Sequence, residues 1–176
     1  MTASWNHKVS PEAVPESGAH FKLQADENAR AEIAKSAGLR SLPHLVASFD
    51  LTRRGTQGLH IAGEVKATVG QNCVVTLEPI DSDINETFEV DFAPEAVTIV
   101  EDDQREATID LNAAEPPEPL IGGAVDLGAV ATEFLLLAID PYPREEGAVF
   151  EPRIAGDPNV NPFAALASLK KDKGED

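Results

Sequence analysis

Between residues 45 and 92 apolar side chains recur mostly at every second position, in runs separated by short polar links. Leu45, Ala47, Phe49 and Leu51 share one face of a strand that follows Pro43. Leu59, Ile61, Val65, Ala67 and Val69 alternate with His60, Glu64, Lys66 and Thr68. Cys73, Val75 and Leu77 continue the pattern after a Gly70-Gln-Asn72 turn, and Ile84, Phe88, Val90 and Phe92 oppose Asn85, Thr87, Glu89 and Asp91. A period of two is the mark of half-buried strands. Links as short as Arg53-Arg-Gly-Thr-Gln-Gly58 exclude parallel crossovers, which need a dozen or more residues. The pattern therefore predicts a four-stranded antiparallel meander with one face in the core and one acidic face in water. Asp81-Ser-Asp-Ile-Asn85 is read as a polar hairpin turn. It mimics the start of a calcium loop, but Glu86 stands where that loop needs glycine and Phe92 where it needs a bidentate glutamate.

The flanks supply helices. Two short strands are expected over residues 5–10 and 18–23, followed by Asp26 as an N-cap and a helix over about residues 27–37 that stops at Gly38. Asp126 caps a second helix running to about Ile139, where Pro141 and Pro143 forbid continuation. Leu127, Val130, Phe134 and Leu137 form its stripe, and Leu135, Leu136 and Ile139 widen it to most of the circumference. Such a helix must be covered on more than one side, and enclosure by the sheet and the N-terminal helix is expected. The fold class is thus α+β: an antiparallel meander packed with an N-terminal helix and a buried apolar C-terminal helix, forming one domain over residues 1–150. Residues 101–124, charged and rich in proline, are expected to be a mobile acidic loop with a brief strand at 107–111. Residues 151–176 are expected to be a flexible tail holding a short amphipathic helix after Asn161-Pro162. Phe163, Leu166 and Leu169 line one face of that helix, Lys170, Lys171 and Lys173 follow, and it reads as a docking element.

Charge is unevenly spread. Residues 71–125 hold 14 Asp/Glu and a single Arg, whereas residues 1–70 are close to neutral, and the whole chain carries −17. An acidic surface repels phosphate backbones, whose binding rests on Lys and Arg displacing counterions. It attracts basic partners and speeds encounter with them.

Recognised catalytic patterns are missing. No phosphate-binding glycine loop, dinucleotide turn, nucleophile elbow or His-Glu-x-x-His helix occurs, so no enzyme activity and no cofactor are expected. Cys73 is the lone cysteine and the four histidines are scattered, so no metal site is expected. In its apolar surroundings Cys73 reads as a small buried hydrophobe. One cysteine also excludes an internal disulfide, in keeping with a reducing compartment. The first ten residues hold no apolar run, and residues 134–139 are far too few to span a bilayer, so the expectation is a cytoplasmic protein without membrane association.

Two motifs in order, Cys73-Val-Val-Thr-Leu-Glu-Pro79 and Asp126-Leu-Gly-Ala-Val-Ala-Thr-Glu-Phe-Leu-Leu-Leu-Ala-Ile-Asp-Pro-Tyr-Pro-Arg144, carry a family resemblance. Together they resemble the signature of the YceD-like family, the large ribosomal RNA subunit accumulation proteins, over roughly residues 57–144. Trp5-Asn-His-Lys-Val-Ser10 and Ala25-Asp-Glu-Asn-Ala-Arg30 match more loosely. Many members carry Cys-x-Arg-Cys-Leu-Glu-Pro. Here the arginine falls at Val75 and the second cysteine at Thr76, so the thiol pair that could hold zinc is absent. The resemblance implies a role in synthesis, processing or stability of the large ribosomal RNA. Because the gene commonly neighbours that of a small basic large-subunit protein in this family, it also implies such a protein, or an assembly factor, as partner. Joined to the charge pattern, this gives a partner-binding set of Glu86, Glu89, Asp91, Glu101, Asp102 and Asp103, with Phe163 and Leu166 on the tail; association with rRNA would then be indirect. The alternative is direct RNA binding through the Arg53-Arg54 hairpin with Lys66 nearby. An uncharacterised hydrolase is the third reading.

Overall fold

The computed structural model describes residues 5–94 and 116–150. Three long strands dominate it: β3 (Ser41–Arg54), β4 (Gly58–Asn72) and β5 (Pro79–Pro94). They pair antiparallel in sequence order, as the short links require, with Phe49 opposite Gly63 and Gly63 opposite Phe88 at the centre. β2 (Ala19–Gln24) adds antiparallel to β3, and β6 (Glu118–Leu120) adds parallel to the end of β5 over Phe92–Pro94. The sheet is therefore five-stranded and mixed, in the order β2-β3-β4-β5-β6. A separate ribbon joins β1 (Lys8–Val9) to β7 (Val125–Asp126).

The expected meander is corrected in three places. Cys73, Val75 and Leu77 are not a strand, and Gly70-Gln-Asn72 is not a turn: β4 runs through Asn72 and the chain reverses over 73–78. The reversal closes when the N–H of Leu77 donates to Cys73 O at 2.9 Å and that of Cys73 to Glu78 O at 2.8 Å. Leu77 adopts a positive φ there and leaves Val74 and itself exposed, so the apolar alternation is that of a tight turn. Asp81–Asn85 is not a turn but part of β5. This stretch is wet on both faces, and without an apolar period it resembles a loop. Of residues 5–10, only two form a strand. Of the expected loop, residues 116–124 hold β6 and a single 3-10 turn. The strand at 107–111 and the tail helix lie outside the described residues.

Both helices cover the apolar face. α1 (Glu27–Ser36) starts where Asp26 Oδ1 accepts the N–H of Ala29 at 2.8 Å, and it buries Ile33 and Ala34 while packing on β3. α2 (Leu127–Ala138) starts where Asp126 Oδ1 accepts the N–H groups of Gly128 and Ala129, at 3.0 and 3.4 Å. It packs on β4 and β5 and buries Leu127, Val130, Ala131 and Leu135. Phe134 stacks on Phe88 with ring centroids 4.0 Å apart, and Phe88 meets Phe49 edge-on. Gly63 makes room for this, since a Cβ there would lie 2.3 Å from Phe88 Cζ. Each large apolar side chain so buried contributes about 1.5–3 kcal/mol; Phe49, Leu51, Leu59, Ile61, Leu127 and Leu135 are all essentially inaccessible.

Enclosure of α2 is incomplete. Because α1 sits on β3 and α2 on β4 and β5, a groove of about 870 Å³ separates them, lined by Trp5, Ala29, Ile33, Ala129 and Leu136 among others. Leu137 at the rim remains 73% exposed. The N-terminal segment closes only the first turns of α2. There the Trp5 indole N–H donates to Thr132 Oγ1 at 3.2 Å and the Leu127 N–H donates to His7 O at 2.9 Å.

Candidate functional site

The uncovered face of the sheet collects the charged side chains of four strands. Strand pairing places Lys22, Ser48, Glu64 and Thr87 in one row, His20, Asp50, Ala62 and Glu89 in the next, and Thr52, His60 and Asp91 in a third. Most of these charges find partners on the same face. His20 Nδ1 lies 2.8 Å from Asp50 Oδ1, and Lys66 Nζ lies 2.9 Å from Glu64 Oε1. Asp91 Oδ1 takes both His60 Nδ1, at 2.8 Å, and Arg54 Nε, at 3.4 Å. Arg40 reaches Asp81 at 2.6 Å. Such exposed pairs are worth a fraction of a kcal/mol each, but they settle which charges are left over.

Apart from the exposed Lys22 on β2, the remainder is negative and lies on β5. Asp83 accepts only the neutral hydroxyl of Thr68, at 2.8 Å. Among the described residues, Glu86 and Glu89 have no hydrogen-bond or ion-pair partner. Glu89 and Asp91 point to the uncovered face, whereas Glu86 shares the opposite face with Ile84 and Phe88, across from Val65, and is still exposed. Three of the expected partner-binding acids therefore stand along one strand. Glu101, Asp102, Asp103, Phe163 and Leu166 lie outside the described residues. Asp81 and Asp83 belong to the same row of acids and were missed because their segment reads as a turn. The uninterrupted alternation of Asp81, Asp83, Asn85, Thr87, Glu89 and Asp91 is the signal that finds them.

The basic candidates are dispersed. Arg53 and Arg54 are neighbours in sequence but point to opposite faces of β3. The guanidinium of Arg53 donates to the main-chain oxygens of Val14 and Glu12, strapping the N-terminal 3-10 turn (Pro11–Ala13) to the sheet. Arg54 leans on Asp91 and Lys66 on Glu64, as above. No contiguous cationic patch forms from these three.

Cys73 is buried at the β4–β5 turn, and its Sγ accepts the N–H groups of Glu145 and Thr76 at 3.4 and 3.5 Å. The Glu145 N–H, then the Thr76 hydroxyl and N–H, lower the thiol pKa to about 7, against a weaker opposing effect of burial. The segment after α2 is held onto this turn, with Val74 N–H donating to Pro143 O at 2.9 Å and Gln71 Nε2 to Asp140 O at 2.9 Å. Thr76, at the place of the second thiol, contributes hydrogen bonds instead. Among the described residues no three His, Cys, Asp or Glu side chains gather as a metal site would require. No helix among the described residues is long and apolar enough to cross a membrane.

Compared with known proteins, the chain matches one family model, described as "Large ribosomal RNA subunit accumulation protein YceD", over residues 61–170, more than half its length. No curated protein and no solved structure matches the chain.

Proposed function

The chain belongs to the YceD family, and from that premise we propose that it supports accumulation of the large ribosomal RNA as a non-catalytic assembly factor. It does so by engaging a basic large-subunit ribosomal protein or assembly factor through β5. One observation carries this reading: Asp83, Glu86 and Glu89 stand along a single exposed strand with no cation of the described residues against them. Clustered uncompensated charge of one sign raises the local concentration of oppositely charged partners and accelerates their docking. It works against direct contact with phosphates. The engagement of Arg53 with main-chain carbonyls, and of Arg54 and Lys66 with Asp91 and Glu64, supports the same preference for protein over RNA.

The test is capture of partners by the tagged full chain at low and at physiological ionic strength, with RNase treatment in parallel. A Lys- and Arg-rich large-subunit protein should be recovered in both RNase arms and should weaken steeply with salt, because exposed pairs are screened over about 8–10 Å. In cells lacking the chain, large-subunit rRNA should fall relative to small-subunit rRNA, and a Glu86→Lys, Glu89→Lys variant should fail to restore it. Recovery that vanishes with RNase, or full restoration by that variant, would defeat the reading.

A further inference from the structure

The two edges of the sheet differ in a way that bears on how a partner attaches. β2 forms one edge; it is six residues long and carries Lys22. Short strands and inward or flanking lysines are the usual devices that keep an edge from recruiting another chain. β5 forms the other edge. Among the described residues β6 covers it only at Phe92–Pro94, so nothing described pairs with residues 79–91 on that side. This free stretch contains no Lys or Arg and only the proline at its start, and its pairing with β4 is continuous, without a bulge. Alternate residues along it present outward main-chain N–H and C=O groups that no described residue pairs, as an edge strand does.

We propose that β5 over residues 79–91 is a strand-addition site, and that its occupant is an extended basic segment of a partner protein. This rests on the functional reading above and specifies its geometry. The main chain supplies the hydrogen bonds and the side chains choose the occupant. Five acids, Asp81, Asp83, Glu86, Glu89 and Asp91, line the free stretch. A second copy of β5 would set like charges against one another, which strand pairing disfavours. A strand rich in Lys and Arg would instead place its cations beside Asp83 and Glu89 on the uncovered face and beside Glu86 on the other. Apolar side chains on that second face would extend the surface of Ile84, Phe88 and Val90. Beyond Val90 the incoming strand meets a cavity of about 600 Å³ walled by Phe92, Ile121, Val130 and Phe134, where an apolar residue can seat.

The experiment uses the full chain and a synthetic peptide of about ten residues alternating Lys with Val. Two further peptides each carry two N-methyl groups, on the amides of two central odd or of two central even residues. Backbone pairing at an edge uses every second amide, so one methylated peptide should bind about 5- to 150-fold more weakly, the loss of two main-chain hydrogen bonds. The other should bind like its parent. In hydrogen exchange, alternate amides of residues 81–91 should be open in the free protein and slow when the peptide is bound. Asp83→Lys with Glu89→Lys, both on the uncovered face, should weaken the parent peptide about 2- to 30-fold. Equal binding of all three peptides would overturn strand addition while leaving the charge-based reading intact. Binding of none would overturn both. Slow exchange of every amide over 81–91 in the free protein would show that the chain itself fills the edge, and would also overturn the proposal.

Discussion

Replacing Gly128 by alanine probes how the N-terminal segment is held. A Cβ at Gly128 would stand 1.9 Å from the Trp5 carbonyl oxygen and 2.7 Å from its carbon. Those are main-chain atoms, so no rotamer change relieves the overlap, and the segment must lift off α2. Lifting it exposes Trp5, which is only 7% accessible, and breaks the Trp5–Thr132 and Leu127–His7 hydrogen bonds. Losing the burial of a tryptophan costs about 3–5 kcal/mol. Alanine returns up to about 1 kcal/mol through its higher helix propensity. The net expectation is a loss of about 2–4 kcal/mol, or roughly 4–16 °C in Tm for a domain of this size. Trp5 is the single tryptophan of the chain, so its fluorescence reports the event directly. Gly128→Ala should shift emission to the red in the native state, before any global unfolding. Ala129→Gly, at the neighbouring exposed position, should cost about 1 kcal/mol with emission unchanged. Unaltered emission together with equal or higher stability in Gly128→Ala would refute the reasoning.

Three further outcomes are expected. Gly63→Ala should destabilise by about 1–3 kcal/mol in urea titration, as overpacking does, and Phe88→Ala in the same background should cost less than in the parent, since the Cβ then has no ring to meet; additive costs would count against it. Glu89→Lys should change stability by less than about 0.5 kcal/mol while weakening partner capture, whereas Asp91→Lys should also lower stability because it faces His60 and Arg54; equal thermal shifts in the two variants would contradict the assignment of partners. Cys73, with its pKa lowered to about 7, favours the thiolate in the folded chain. Its contribution relative to Cys73→Ser should therefore be full above the ionisation of an unfolded thiol, near about 8.5, and be lost as the pH falls through about 7. A stability gap that stays flat between those limits would exclude the effect.

Much of the sheet is legible in the chain because β3 and β4 are buried on one face along most of their length. Leu45, Ala47, Phe49 and Leu51, then Leu59, Ile61, Val65, Ala67 and Val69, fall on alternate positions interrupted only by Gly63, and the residues between them are polar apart from Val46 and Ala62. Both helix starts were equally readable, since Asp26 and Asp126 each cap through an oxygen that accepts the first free N–H groups. The misreadings share a cause. The turn at 73–78 buries Cys73 under the segment after α2 while Val74 and Leu77 stay exposed, and that contact joins residues about seventy positions apart. β6 contains Pro119 and pairs through only three residues, a combination that local pattern assigns to a loop. Arg53 sits where a hairpin was expected, yet its guanidinium serves carbonyls near the N-terminus, which no local pattern reveals.

The candidate site was legible in its residues and not in its geometry. Alternation identifies Glu89 and Asp91 as outward acids, but it cannot say whether their strand is central or at an edge, because that depends on which later segment comes back beside it. A trace of the answer is nevertheless present in the core-facing positions. On β3 and β4 the run is apolar apart from Gly63, where Phe88 fills the space, until it reaches Arg53 at the end of β3 and Gln71 at the end of β4. On β5 it reads Ile80, Ser82, Ile84, Glu86, Phe88, Val90, Phe92, with two polar interruptions. A central strand would have to bury those groups without partners, at a cost of several kcal/mol for the carboxylate. At an edge they remain in water at almost no cost. The interruption at Glu86 that obscures β5 as a core strand is thus the same feature that suits it to the edge it forms among the described residues, and under the strand-addition proposal it puts a carboxylate on either face of the one strand beside a basic chain.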